Sequence, residues 1–395
     1  MQIDLSALLN LPELEITSVE ISDESLKVSC RSRLGQAICP SCQEKTQEIR
    51  KYYRRTLRDL PITGREVYLD LEERQFYCPN CDGYFSERFS FVEPNRTTTT
   101  RLEGYIYRCC LKSTVKAISV QENLLWDVVE GIFHRQASKL TQQVDSVRWL
   151  GIDEIALRKG HKHFVCVLVD LQKGCVVDVL KERTQAYLIA YFKKKGTDFL
   201  SQVKVFSSDM WDGFITVAET LMPNAMIVVD RFHVVCNLHR AIDSFRRHLR
   251  RENKDEESLK KLRWVLLKHG QKLNKDERVR LEKAFEFAPQ LEQIYQLKED
   301  FRLWYDTFTS KSKAGAWLTH WTDQAKALNN TFLDTFVSTL TKWRDKILNF
   351  FVDGISNGMV EGLNNILKLI LRRAFGYANF NHFRLRALAE CGPDS

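Results

Sequence analysis

The chain has 395 residues, 44% hydrophobic and 28% charged, with a net charge of +8. That length supports two or three domains with cores of their own. No apolar run approaches the roughly 18 residues that a membrane span needs. The opening stretch, MQIDLSALLNLPELEI, lacks the positive start and small-residue cleavage site of a secretory leader. A cytoplasmic, nucleoid-associated protein with no membrane partner is expected, and the basic balance is compatible with a polyanionic one. Eleven cysteines, an odd number, argue against a disulfide framework and for metal binding by a subset.

The first elements in chain order are strand-like. Within residues 1–95, alternating stretches such as EVYLDLEERQFYC read as short strands, and two Cys-Pro-x-Cys knuckles flank them. Cys39 and Cys42 form one knuckle, Cys78 and Cys81 the other. Two thiolates in a tight turn bind one side of a zinc ion, and a second pair completes a tetrahedron. With four protein ligands the zinc is expected to be structural. Between the knuckles, Lys51, Arg54 and Arg55 alternate with Tyr52 and Tyr53, basic and aromatic groups suited to DNA.

Pro94-Asn95-Arg96 and the four threonines after it mark a junction. Residues 96–145 then read as a helix-turn-helix. Val115 and Ile118 pack the first helix and Ser119-Val120 make the turn. Leu125, Val128, Val129 and Ile132 seat the second helix, which in this motif enters the major groove. Its outer face carries Glu122, Asp127 and Glu130, poor neighbours for phosphate.

From Val147 the texture changes. Three closely spaced strands (RWLGIDEIAL, HFVCVLVDL, CVVDVLKE) precede a helix, a fourth strand (VKVFSSD), a second helix and a fifth strand (AMIVVD). Such an order describes a mixed sheet flanked by helices. After Phe232 nearly everything to Leu371 reads as helix. The expected division is 146–250 for the first part of an α/β core, 251–348 for a helical insertion, and 349–395 for the closing part of the core.

Three carboxylates stand out within that core. Asp153 lies mid-strand among apolar residues, with Ile152 and Glu154 alternating to the opposite face. Asp209 ends the fourth strand, and the two meet if the first and fourth strands are neighbours, as in an RNase H-like sheet. Glu361 falls in the late helix SNGMVEGLNNILKLILRR. Hard oxygen ligands of this kind suit Mg²⁺ or Mn²⁺, and a pair of such ions drives in-line displacement at phosphorus. Asp230, after the fifth strand, is an alternative second ligand; with His233 it forms an i, i+3 pair that could brace the site. Asn364, Asn365, Lys368, Arg372 and Arg373 follow Glu361 and could hold a DNA backbone.

These stretches, taken with GIDEIALRKGHKHFVCVLVDL, SSDMWDGF, NAMIVVDRFHVV, SNGMVEGLNN and RRAFGY, resemble the transposases of the ISL-three group of bacterial insertion sequences over nearly the whole chain. The resemblance implies a zinc module, a helix-turn-helix and an RNase H-like core of the DDE type with a helical insertion. By carry-over Asp153 is the first catalytic carboxylate and Glu361 the third. Asp209 is favoured as the second, because the Mutator-like and hAT-like relatives place theirs at the end of the fourth strand. In those relatives a Cys/Asp-x-x-His motif follows the fifth strand, which Asp230 and His233 match. The implied partners are double-stranded DNA, at terminal inverted repeats and at the target, and further copies of the chain, since two ends are processed together. The competing classes are a catalytically silent DNA-binding regulator and an RNase H-like nuclease that only cleaves.

Overall fold

The computed structural model describes residues 9–140, 144–157, 164–355 and 358–393. They fall into two compact units, Met1–Leu140 and Thr141–Ser395.

In the first unit, β1 (Leu14–Ile21) and β2 (Ser25–Ser32) form a hairpin, and β3 (Ala37–Ile38) and β4 (Lys45–Thr46) a second, very short one. β5 (Ile49–Ile62) and β6 (Arg65–Cys78) then make one long antiparallel hairpin, and β7 (Gly83–Ser86) adds to β6. The strands of this hairpin are 14 residues each rather than the short ones the alternation implied. The reason is that the alternation of β6 never breaks: Val67, Leu69 and Leu71 all point into the core and are fully buried. The hairpin turns at Thr63 and Gly64, both left-handed (φ 51° and 79°). The first half of β5, Ile49–Arg54, is exposed along its whole length, so β5 is the bare edge of the hairpin's far end, where β7 flanks β6 on the other side.

Three helices complete the unit: α1 (Thr100–Lys112), α2 (Val115–Gln121) and α3 (Trp126–Leu140). Thr99 and Thr114 cap the first two, each hydroxyl accepting from a backbone N–H three residues on. The turn of this helix pair is not at Ser119-Val120, which lie inside α2. It spans the residues after Gln121, where Asn123 takes a left-handed conformation (φ 49°). Glu122 is therefore not on the outer face of α3. It is buried before that helix and accepts from the Tyr105 hydroxyl (3.0 Å) and the Gln121 amide (2.8 Å). Val129 and Ile132 seat α3 as the periodicity implied, whereas Leu125 is 77% exposed. Strands and helices are joined through buried Asp59, which accepts from the Thr99 hydroxyl (2.6 Å) and pairs with Arg101.

The second unit is built on five strands: β8 (Trp149–Ala156), β9 (Phe164–Asp170), β10 (Cys175–Leu180), β11 (Val205–Ser208) and β12 (Met226–Val229). Their order is β10-β9-β8-β11-β12. The first three run antiparallel in sequence, and β11 lies parallel to both β8 and β12. Between them run α4 (Gln185–Lys195), α5 (Thr197–Gln202) and α6 (Asp212–Leu221), and after β12 comes α7 (Arg231–Glu252).

The helical block follows, with α8 (Arg263–Leu267), α9 (Lys275–Phe287), α10 (Pro289–Thr307), α11 (Lys311–Ala327), α12 (Thr331–Leu348) and the short α13 (Phe350–Asp353). It shares one continuous apolar core with a face of the sheet that includes Leu150, Ile152, Leu168 and Phe206. Trp304 and Trp321 are fully buried there, each indole N–H donating to a backbone carbonyl (Ala314, 3.1 Å; Leu297, 2.9 Å). They are core, as is Trp343.

The opposite face of the sheet carries α14 (Gly358–Arg373) and α15 (Phe380–Cys391). Val165, Val167 and Val169 pack there against Val360, Leu363 and Leu367 of α14 and Phe383 of α15. Gly151 permits this approach, because a Cβ there would come within 2.9 Å of Val360 and 2.8 Å of Leu171. Among the described residues no helix is long and apolar enough to cross a membrane.

Candidate active site and zinc cluster

Sheet register sets the first group of carboxylates. Ser207 of β11 pairs with Gly151 of β8, and Ser208 pairs with Val229 of β12. Carried one or two residues further, the same register sets Asp209 level with Asp153 on one side and with Asp230 on the other. Paired residues of parallel strands point to the same face. Gly151 meets α14, so the face bearing the three aspartates is the one that α14 covers. Glu154 alternates to the other face and pairs with Arg183 at 2.6 Å.

The surroundings of the row are polar and only partly wet. Asn364 of α14 donates its side-chain amide to Asp153 Oδ2 at 2.7 Å. Asn364 is itself buried, and its Oδ1 has no hydrogen-bond partner. His233, in the first turn of α7, stands with Nε2 3.9 Å from Asp153 and 3.8 Å from Asp230. Asp230 caps α7, accepting from Phe232 N at 3.3 Å. Burial pushes the Asp153 carboxyl above its ordinary value, against the opposing pull of His233, Lys368 and Asn364. Burial, with the like charges of Glu154 and Asp153, pushes Asp209 up to about 6, against His233.

Glu361 lies in the first turn of α14 and is exposed. The carboxylates of Asp153, Asp209 and Glu361 do not all lie within 4.8 Å of one another. Glu361 does reach the same neighbourhood, since its charge and that of Asp230 both raise the Cys236 thiol of α7, after the larger effect of burial. Of the residues expected to follow it onto DNA, Asn365, Lys368 and Arg372 are exposed. Asn364 instead faces Asp153, and Arg373 pairs with Glu390 of α15. Arg158–His161 and Ser356-Asn357, part of the sequence resemblance, lie outside the described residues.

In the first unit the four knuckle thiols are already gathered. Sγ of Cys39 is 3.9 Å from that of Cys81, Cys42 is 3.5 Å from Cys78, and all four lie within 4.8 Å of one another. A tetrahedral zinc with Zn–S of about 2.3 Å requires S···S edges near 3.8 Å, so the cluster has the dimensions of a Cys₄ zinc site. Each knuckle is closed by a left-handed residue, Gln43 (φ 65°) and Asp82 (φ 49°). The Asn80 side chain and the Glu44 backbone hold the Cys42 thiol down at about 6, which favours the thiolate that a metal needs.

Of the basic residues expected on DNA here, Lys51 and Arg54 are exposed on the bare part of β5. Arg55 is engaged, pairing with Glu73 (3.2 Å) and donating to the Arg96 and Glu93 carbonyls. On α3 both Arg135 and Lys139 are likewise paired, with Glu103 and Glu93.

The role of Asn364 as partner of Asp153 escaped the sequence reading. Its signal was present in the spacing: three residues after Glu361 on a helix places it nearly above that residue on the face toward the sheet.

Comparison with known proteins gives the family of the chain. A family model described as a transposase, of family ISL3, matches residues 150–387. A model for the zinc finger of the IS204/IS1001/IS1096/IS1165 transposases matches residues 35–81, and one for the helix-turn-helix domain of transposase family ISL3 matches residues 87–137. The transposase for insertion sequence element IS1001 of Bordetella parapertussis is 28% identical over 360 residues, 89% of this chain and 88% of that one. The transposase for element IS1557 of Mycobacterium tuberculosis is 23% identical over 387 residues, covering 90% and 86%. With zinc finger, helix-turn-helix and carboxylate-bearing segment matched in this order, the chain belongs to the ISL3 family of transposases.

Proposed function

We propose that the protein binds the terminal inverted repeats of its insertion sequence and catalyses metal-dependent DNA cleavage and strand transfer. The observation that carries this is the aspartate row. Asp153 within β8, and Asp209 and Asp230 just after β11 and β12, stand level on three adjacent parallel strands, and the order β10-β9-β8-β11-β12 supports an RNase H-like reading of the sheet.

The donors fit a hard divalent cation. They are carboxylate oxygens, their burial and mutual repulsion raise Asp209 to about 6, and Asn364 Oδ1 lacks a partner beside them. Asp153, Asp209 and Glu361 would hold Mg²⁺ or Mn²⁺. Bound there, such ions supply an activated nucleophile and charge relief on the leaving oxygen. The chain's own residues prepare the site. Asn364 orients Asp153, His233 stands between Asp153 and Asp230 as a brace, and Lys368 offsets carboxylate charge. Asn365, Lys368 and Arg372 on α14 contact the DNA backbone next to the cut. Zinc on Cys39, Cys42, Cys78 and Cys81 holds the β5–β6 ribbon, from which Lys51 and Arg54 reach DNA. The functional division is 1–95 zinc module, 96–145 helix-turn-helix, 146–250 and 349–395 catalytic core, and 251–348 insertion. Two ends react together, which calls for a dimer or larger assembly.

The test is excision of a mini-element bearing the gene's native flanking ends, with wild type, Asp209→Asn and Asp230→Asn compared in Mg²⁺. Loss in Asp209→Asn with activity kept in Asp230→Asn is expected. The reverse pattern makes Asp230 the second ligand, and a wild type that binds verified ends without cutting them contradicts the assignment.

A further inference from the structure

α7 begins at the aspartate row and runs 22 residues away from it. Its apolar face, Val234, Leu238, Ile242 and Phe245, is buried in the main core. On the opposite side, positions 233, 237, 240, 244, 247 and 251 recur at alternating steps of four and three, so they share one face of the helix. They are His233, Asn237, Arg240, Ser244, Arg247 and Arg251. The three arginines are exposed, and the other three are half-buried.

The helix dipole accounts for a cation in the last turn, such as Arg251, but not for Arg240 and Arg247 in the body. From His233 to Arg251 the stripe spans about 27 Å, at roughly 1.5 Å per residue. At about 3.4 Å per nucleotide of one strand, that is roughly eight phosphates.

A second feature adjoins the stripe. Asp243 receives three guanidinium groups, from Arg246 (2.8 Å), Arg247 (3.3 Å) and Arg263 (3.7 Å), which leaves an excess of cation. Arg263 also lies over the ring of Trp264 at 4.8 Å, and that indole is 70% exposed. The buried tryptophans of the helical block are core, so an exposed one set among arginines calls for another explanation. Cations tracking a backbone beside an aromatic platform are the two elements of unpaired nucleic-acid binding.

We infer that the polar face of α7 is a track for one DNA strand, leading from the aspartate row to a stacking platform at Trp264 for an unpaired base. The inference rests on the transposase function proposed above and adds the path of the DNA beyond the cut.

The probe is a labelled duplex of the native end, prepared fully paired and with a few unpaired nucleotides at the flank. Binding is measured at several salt concentrations. Three phosphate contacts contribute about 0.9 each to the slope of log K against log salt. Arg240→Gln/Arg247→Gln/Arg251→Gln should therefore flatten the slope by about 2.7 and weaken binding tenfold or more. The matched control, Lys275→Gln/Arg280→Gln/Lys283→Gln on the exposed side of α9, should leave the slope near that of wild type. Trp264→Ala should lose about tenfold on the unpaired-flank probe and little on the paired one. Equal losses in control and track variants, or none in the track variant, overturn the inference, as does a Trp264→Ala effect that ignores pairing. If the track variant binds and cuts as wild type does, the track is wrong and the transposase function stands. If wild type neither binds nor cuts native ends, that function fails, and the track with it.

Discussion

The two proposed ligand sets of this chain are assembled to different degrees. The four zinc-cluster thiols sit on two tight knuckles and are already within 4.8 Å of one another. The three proposed catalytic carboxylates come from the middle of one strand, the end of another and a helix more than 150 residues later in the sequence, and they are not gathered so closely. The difference follows from charge and chain distance. Thiols on short turns are aimed by local backbone geometry. The carboxylates come from separate elements, and burial together with like charge raises Asp209. A structural site is complete before its ion arrives, whereas a catalytic one leaves room for ion, water and phosphate.

The largest effect that sharpens this contrast lies at the zinc cluster. Structural zinc contributes on the order of 10–16 kcal/mol to small zinc-binding modules. Cys78→Ser should therefore abolish zinc retention and open the knuckle region to proteolysis, while residues 146–395 keep their protection. Zinc retained in full, measured by metal analysis, would refute the cluster. Next in size is Asp153→Ala. Removing a catalytic ligand should lower cleavage of native ends by about a thousandfold or more, with binding of the ends unchanged. Cleavage within a few fold of wild type would break the comparison at its other pole.

Asn364→Leu tests whether the catalytic set depends on a neighbouring amide. Loss of a residue that orients a metal ligand typically costs about 10–100-fold. The cleavage defect should shrink as Mn²⁺ is raised, and Asn364→Gln should recover part of it. A defect indifferent to metal concentration would make Asn364 merely a packing residue.

Much of this was legible from sequence. The five strands and their carboxylates were marked by apolar runs ending in acid, as in VKVFSSD and AMIVVD, and the knuckles by their spacing. Ser119 reads as a turn residue but lies inside the helix, while the actual bend depends on Asn123 tolerating a left-handed backbone. Glu122 was read as an exposed acid because only the tertiary structure brings the Tyr105 hydroxyl onto it. The paired states of Arg55 and Arg373 were hidden for the same reason: their partners, Glu73 and Glu390, lie 18 and 17 residues away. Register sets Asp209 and Asp230 beside one another, which no spacing in the sequence shows.

The smallest predicted effect is a pH dependence of the metal-free protein. Asp209 holds its proton up to about 6 in the folded state, against an ordinary value of 3.8. The folded chain therefore binds more protons than the unfolded one between those values, and stability falls as the pH rises through about 6. Thermal unfolding in chelator at pH 4.5 and 7 should show this decline for wild type and a smaller one for Asp209→Asn. Equal declines would place the titrating group elsewhere.

The most direct test of the divided site is Mn²⁺ binding followed by electron paramagnetic resonance in wild type, Asp153→Asn, Asp209→Asn and Glu361→Gln. Tight Mn²⁺ binding by wild type, lost in either aspartate variant and weakened in Glu361→Gln, is the expected result. Unchanged binding in all three variants would contradict a cation site on the aspartate row.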